Sequence, residues 1–196
     1  MEFVETLTGF KWLARAAMAR PDLRPVLGYV EALGYSVGSL VRDKDGIGAA
    51  VVVVEAVAGL LAERSSVAQR LAELAVDLGL HRTRQRSLRF EGIDGATRMA
   101  AAVDRIRTDP PGALAGVDIT EVEDLALGQR LPPTDGVVLR GAGLRVVVRP
   151  SGTEPKLKLY VEVVRPVGAV DEVGAETEAA DERIDAVLAD LGSRLA

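Results

Sequence analysis

Residues 156–164 alternate strictly between apolar and polar positions. Leu157, Leu159, Val161 and Val163 fall on one side, and Lys156, Lys158, Tyr160 and Glu162 on the other. A period of two is that of a β-strand with one buried face. Two shorter apolar runs, 136–140 and 144–149, flank Gly141-Ala142-Gly143 and predict a hairpin. Residues 116–126 suggest one more strand. Two helical stripes bracket these segments. The first starts at Asp94, a candidate cap, carries Met99, Val103 and Ile106 inward, and stops at Pro110-Pro111. The second carries Ile184, Val187, Leu188, Leu191 and Leu195 on one face, with acidic residues early, where they suit the positive end of the helix dipole. The order α-β-β-β-β-α predicts a small α+β domain over 94–196, an antiparallel sheet with helices on one face.

The first 80 residues give a different pattern. A short strand-like piece at 3–7 runs into Thr8-Gly9, a helix is expected from Lys11 to Ala19, and Arg20-Pro21 stops it. A second extended piece, 26–29, leads into GYVEALGY (28–35), whose glycines predict a loop. Four consecutive valines (51–54) favour a strand by propensity, but Ile47, Val51, Val54, Val57 and Leu61 recur at helical spacing, so a helix is predicted. Ser66-Val-Ala-Gln69 has the form of a capping box, in which the serine accepts from an orphan amide and the glutamine reaches back. The helix it opens places Val67, Leu71, Leu74 and Leu78 on one face and ends at Gly79. Together these predict an incomplete α/β domain over 1–80. Residues 81–93 are basic without a helical period and are expected to form a linker, with a short strand as the alternative within it.

Composition narrows the classes. A length of 196 residues suffices for two small domains, and a net charge of −5 argues against a general nucleic-acid or anionic-membrane binder. The chain has no cysteine, hence no disulfide or thiolate metal site. Its N-terminus lacks the apolar core of a signal peptide, and the longest apolar stretch, 47–61, is interrupted by Glu55 and too short to span a bilayer. A cytoplasmic protein is the simplest expectation. Asp43 and Asp45 are expected to cap a helix rather than hold a metal, Trp12 to pack in the core, and His81 with Arg82, Arg84, Arg86 and Arg89 to be solvated.

The segment RPSGTEPKLKLY (149–160) offers the densest chemistry. Arg149 presents a guanidinium fork, Ser151 and Thr153 present hydroxyls, and Gly152 leaves its backbone N–H open to close approach. Pro150 and Pro155 restrict the loop before any ligand arrives. Such a set suits a phosphate, which takes charge-assisted donors in a concave nest. It also suits a rigid turn between two strands.

The same segment resembles the phosphate-binding loop in the last domain of the α-D-phosphohexomutases, the phosphoglucomutase and phosphomannomutase family. TLTGFKW, GYVEALGY followed by VRDKDGI, and LPPTDGVVL stand here in the order that family uses, so the resemblance spans residues 6–160. The spellings TGFKW, EALGY and RDKDGI are most similar to the branch with phosphopentomutases and some bacterial phosphoglucomutases. The resemblance implies a four-domain enzyme. A phosphoserine in its first domain exchanges phosphoryl groups with a sugar by way of a sugar bisphosphate intermediate, and a Mg²⁺ on an aspartate loop of the second balances the charge. The third domain recognises the sugar and the fourth holds the non-reacting phosphate. Carried onto this chain, it assigns substrate phosphate to Arg149, Ser151, Gly152, Thr153 and Lys158, with Lys156 the less favoured alternative to Lys158. It assigns the sugar side to Thr8, Gly9, Lys11 and Glu31. The branch usually has GYEEA at the sugar loop; here the first glutamate position is Val30, and Glu31 keeps the second. No serine loop of the TASHN type and no DGDxD metal loop occurs in the sequence. The expectation is therefore the end of the third domain plus the fourth, without catalytic or metal residues of its own, inactive alone and partnered by N-terminal mutase domains in cis or on a separate chain. A non-catalytic phosphosugar-binding module, or a decayed remnant, is the alternative.

Overall fold

The computed structural model describes residues 1–30 and 33–195. The chain divides into two compact units, Met1–Arg70 and Leu71–Ala196.

The first unit holds helix α1 (Phe10–Met18), strands β1 (Leu27–Val30) and β2 (Gly34–Val37), and helix α2 (Gly46–Ala62); helix α3 (Val67–Leu78) begins in it. Helix α1 starts after Gly9, whose φ of 125° lies where side-chain-bearing residues are strained. Phe10, the first helical residue, is buried against Gly34, where an added Cβ would come within 2.6 Å of the Phe10 ring. The glycine is thus needed for this helix-on-strand contact. The two strands pair antiparallel with Tyr29 opposite Tyr35, and the two rings stack 5.9 Å apart. GYVEALGY, expected as a loop, contributes both strands of this hairpin; Glu31 lies outside the described residues. Residues 3–7, expected as a strand, have no regular structure, because among the described residues they meet no partner strand.

The valine run is helical, so spacing overrides β propensity. Asp45 caps α2, its carboxylate accepting from Gly48 N at 2.8 Å. Not one α2 residue is buried: Ile47 is 83% exposed and Val54 69%. Ser66 accepts from Gln69 N at 3.1 Å at the head of α3, and Gly79, with φ of 90°, follows its end. Among the described residues no single helix is long and apolar enough to cross a membrane.

The second unit adds β3 (Leu80–Arg89), α4 (Gly95–Thr108), β4 (Ala113–Leu114), β5 (Val117–Asp124), β6 (Val137–Gly141), β7 (Leu144–Pro150), β8 (Lys156–Arg165) and α5 (Val173–Leu195). The strands form one antiparallel sheet in the order β3-β8-β7-β6-β5-β4. Alternation decides the faces. Leu157, Leu159, Val161 and Val163 join Leu144, Val146, Val148, Val137 and Leu139 in one core. Val103 and Ile106 of α4 and Ile184, Val187, Leu188 and Leu191 of α5 cover it. Full burial of each such side chain is worth about 1.5–3 kcal/mol. Asp94 stands at the N-cap of α4, but its side chain makes no capping hydrogen bond, contrary to the sequence expectation.

The largest correction concerns residues 81–93. The expected linker is for the most part a ten-residue strand, β3, fully paired with β8 from Leu80 opposite Arg165 to Arg89 opposite Lys156. Its arginines, expected to be solvated, alternate between uses. Arg82 and Arg84 stand on the helix-covered face. Arg82 grips Asp181 of α5 with Nη2 at 2.7 Å and Nε at 3.1 Å, and Arg84 reaches both Asp181 and Asp185. His81 is not simply solvated either: its Nδ1 lies 3.2 Å from the Glu162 carboxylate. Trp12 is half-buried, with the Lys11 ammonium and the Arg15 guanidinium each 5.3 Å from its ring centroid.

The hydrogen bonds from Arg82 hold the Asp181 carboxyl below the usual aspartate range. A depressed folded-state pKa adds stability that is complete above the unfolded aspartate value and is lost as pH falls through the folded one. The thermal midpoint of the wild-type chain should therefore decline below about pH 4 more steeply than that of Arg82→Ala, measured by circular dichroism melts between neutral pH and the acid limit.

Candidate anion-binding site

The loop between β7 and β8 is shaped by its own backbone. Ser151 N donates to Lys156 O at 2.9 Å, closing the turn, and Phe90 N, just past β3, donates to Pro155 O at 2.9 Å. The turn is thereby tied to the strand on its far side. Thr153 N approaches Ser151 Oγ at 3.5 Å, a long contact that leaves the hydroxyl able to serve another group. Gly152 and Thr153 are exposed, and a Cβ built on Gly152 would meet nothing within 4 Å. The backbone there is open to an approaching ligand.

Register places the charges. Arg149 of β7 stands directly opposite Lys158 of β8, on the sheet face away from α4 and α5. Residues directly opposite in an antiparallel pair have adjacent side chains on the same face. Two like charges side by side are unfavourable unless an anion or solvent relieves them. Neither makes a hydrogen bond or ion pair among the described residues. The Arg149 guanidinium lies 5.9 Å from the Tyr160 ring centroid, and its Nε is buried without an acceptor. A buried donor left unpaired costs about 1–3 kcal/mol. Lys156, by contrast, is engaged: its Nζ lies 2.5 Å from the Glu154 carboxylate. That hydrogen bond, with smaller contributions from the charges of Arg89 and Lys158, holds the Glu154 carboxyl below the ordinary range.

Of the residues expected at the phosphate, Arg149, Ser151, Gly152, Thr153 and Lys158 are therefore gathered on one loop and its two flanking strands. On the sugar side, Thr8 is exposed, Gly9 forms the strained entry to α1, and Lys11 is exposed beside Trp12. Those three lie in one short segment, while Glu31 falls outside the described residues. Sequence reasoning missed Arg89, which register sets opposite Lys156. The signal was present: Arg82, Arg84 and Arg86 recur every second residue, a strand period written in polar side chains.

Residues 1–77 match the family model described as phosphoglucomutase/phosphomannomutase, alpha/beta/alpha domain III, and residues 94–180 match that described as phosphoglucomutase/phosphomannomutase, C-terminal domain. Among curated proteins, the chain is 35% identical to "Probable phosphoribomutase" of Schizosaccharomyces pombe, the match covering 81% of this chain and 30% of that protein. It is 34% identical to "Probable phosphomannomutase" of Haemophilus influenzae, with 81% and 31% covered, and 31% identical to a phosphoglucomutase of Staphylococcus haemolyticus, with 81% and 31% covered. A crystal structure of the Paramecium phosphoprotein pp63/parafusin, a phosphoglucomutase in an open form, shares the fold with a TM-score of 0.63 at 18% identity, covering 94% of this chain and 33% of that one. The chain belongs to the phosphoglucomutase/phosphomannomutase family, carrying its domain III and C-terminal domain. It spans about a third of the length of the curated relatives it matches.

Proposed function

We propose that this chain is the C-terminal portion of a phosphosugar mutase and that its Arg149–Lys158 loop holds the non-reacting phosphate of a phosphorylated sugar. The observation that carries the reading is the pairing of Arg149, with its buried Nε unsatisfied, against Lys158 beside an open, backbone-closed turn. Ser151 and Thr153 supply hydroxyl donors and Gly152 the accessible amide. Held there, a phosphate would fix one end of the sugar while a phosphoryl group moves at the other. Positioning of this kind accounts for much of the rate in phosphoryl transfer.

The remaining parts of the reaction fall to other mutase domains, in cis or on a separate chain. These would supply the phosphoserine and the Mg²⁺ loop, and the reaction would pass through a sugar bisphosphate intermediate. Among the described residues no three His, Asp or Glu side chains gather to hold a metal ion. Asp45 is taken up by Gly48 N, and Asp43 accepts from Lys44 N at 2.7 Å. The residues present therefore do not fit a Mg²⁺ site. The exposed apolar surface of α2 supports the need for further domains, since a helix apolar all round is ordinarily covered.

Titration of the ¹⁵N-labelled chain with inorganic phosphate tests the site. The amides of Ser151, Gly152 and Thr153 should shift in a saturable manner. Absence of any shift from Arg149 to Glu154 would reduce the loop to a turn.

A further inference from the structure

We infer that Arg89, at the end of the edge strand β3, is a further phosphate-binding residue of the Arg149–Lys158 site. This rests on the reading of that loop as a phosphate site and extends the site onto a third strand. The argument begins with register. On β8, Lys156 and Lys158 point to the face away from the helices, because Leu157 between them is fully buried in the core. Arg149 of β7 flanks Lys158 on one side; on the other, β3 places Ser87 opposite Lys158 and Arg89 opposite Lys156. Arg89 therefore stands on the same open face, one alternation from the Arg149–Lys158 row.

The backbone holds it there. The residue after Arg89, Phe90, donates its N–H to Pro155 O in the loop itself. The Cα of Arg89 is thus carried by the loop it would serve, and any shift of the turn moves both. The electrostatics agree: the charge of Arg89 acts on the loop carboxylate Glu154.

Availability separates Arg89 from its neighbours. Lys156 is held by Glu154. Arg82 and Arg84, on the other face of the same strand, are bound to Asp181 and Asp185. Arg89 is exposed and makes no hydrogen bond or ion pair among the described residues. A planar guanidinium at this edge can contribute a bidentate, charge-assisted contact to a phosphate oxygen pair, which an ammonium such as that of Lys156 cannot.

The test is the affinity of the full chain for inorganic phosphate, read from the loop amide shifts. Arg89→Ala should weaken binding roughly five- to tenfold, a modest loss for a charge-assisted hydrogen bond, as befits an exposed position. Arg86→Ala removes the same charge from the same strand on the opposite face and should change affinity by less than about twofold. Arg89→Lys should fall between wild type and Arg89→Ala, because it keeps the charge and loses the fork. Equal, small effects of Arg89→Ala and Arg86→Ala would overturn the assignment while leaving the loop site standing. If the wild-type loop does not respond to phosphate, the site fails and the role of Arg89 fails with it. Melting temperatures of the three variants guard against unfolding, and should Arg89→Ala melt early, the comparison of Arg89→Lys with wild type carries the decision.

Discussion

Arg149→Ala should weaken binding of inorganic phosphate by roughly 10- to 150-fold, corresponding to about 1.5–3 kcal/mol for a hydrogen bond to a charged group. The loss is expected to exceed that at any other loop position, because Arg149 contributes a fork and a full charge where Ser151 and Thr153 contribute single neutral donors. The fold should survive. The side chain lies on the sheet face away from the helices, against Tyr160, and it makes no ion pair among the described residues. Removing it also relieves like-charge crowding with Lys158. Isothermal calorimetry of both proteins, with melts in parallel, measures the two quantities separately. Unchanged phosphate affinity in a folded Arg149→Ala protein would remove the central element of the proposed site.

The second large effect concerns turnover. The 196-residue chain alone should not convert glucose 1-phosphate to glucose 6-phosphate, even with Mg²⁺ and a sugar bisphosphate present. On the proposed reading the phosphoryl donor and the metal loop belong to other mutase domains, and the described residues gather no cluster of three His, Asp or Glu side chains. Without a phosphoryl donor, a phosphate clamp can only bind. Addition of the first two domains and the start of the third from a related phosphoglucomutase should restore measurable activity if the chain is a mutase portion. Binding without any restored turnover would favour the phosphosugar-binding module instead. Turnover by the isolated chain above the level of a contaminant control would contradict both.

Much of the second unit was legible from the sequence because its strands are buried on one face only. The alternation of Leu157, Leu159, Val161 and Val163 specified strand, face and core together, and the GAG hairpin fixed the neighbouring register. The helical stripe ending at Leu195 was equally direct. What escaped was the full length and pairing of β3, whose middle has no apolar alternation. Its central inward positions, 82, 84 and 86, are arginines, and two of them meet aspartates on α5, so between Leu80 and Leu88 hydrophobic patterning had nothing to detect. The first unit misled for the opposite reason: residues 3–7 have strand-like composition but no strand to pair with, and β propensity without a partner does not make a sheet. At the site, residue types and loop position were readable from the string Arg-x-Ser-Gly-Thr. The occupation of Lys156 by Glu154 is a local loop contact that depends on the turn's exact shape, and the arrival of Arg89 from a distant segment depends on cross-strand register, which local sequence does not encode.

The pairing of β3 with β8 also bears on where this unit can be cut. A polypeptide trimmed to begin at residue 94, where the match to the C-terminal family domain begins, would lack β3 entirely. Strand β8 would then become the sheet edge along ten residues, its amides and carbonyls bared over the whole length that β3 now covers. An unpaired edge that long is a template for intermolecular pairing. The contacts that prevent it join segments far apart in the chain, so the loop-closure entropy of β3 docking must be met before the edge is sealed. During folding the rest of the sheet can therefore form ahead of its protection. Arg82 and Arg84, joined to Asp181 and Asp185 of α5, help to hold β3 over that edge in the folded protein.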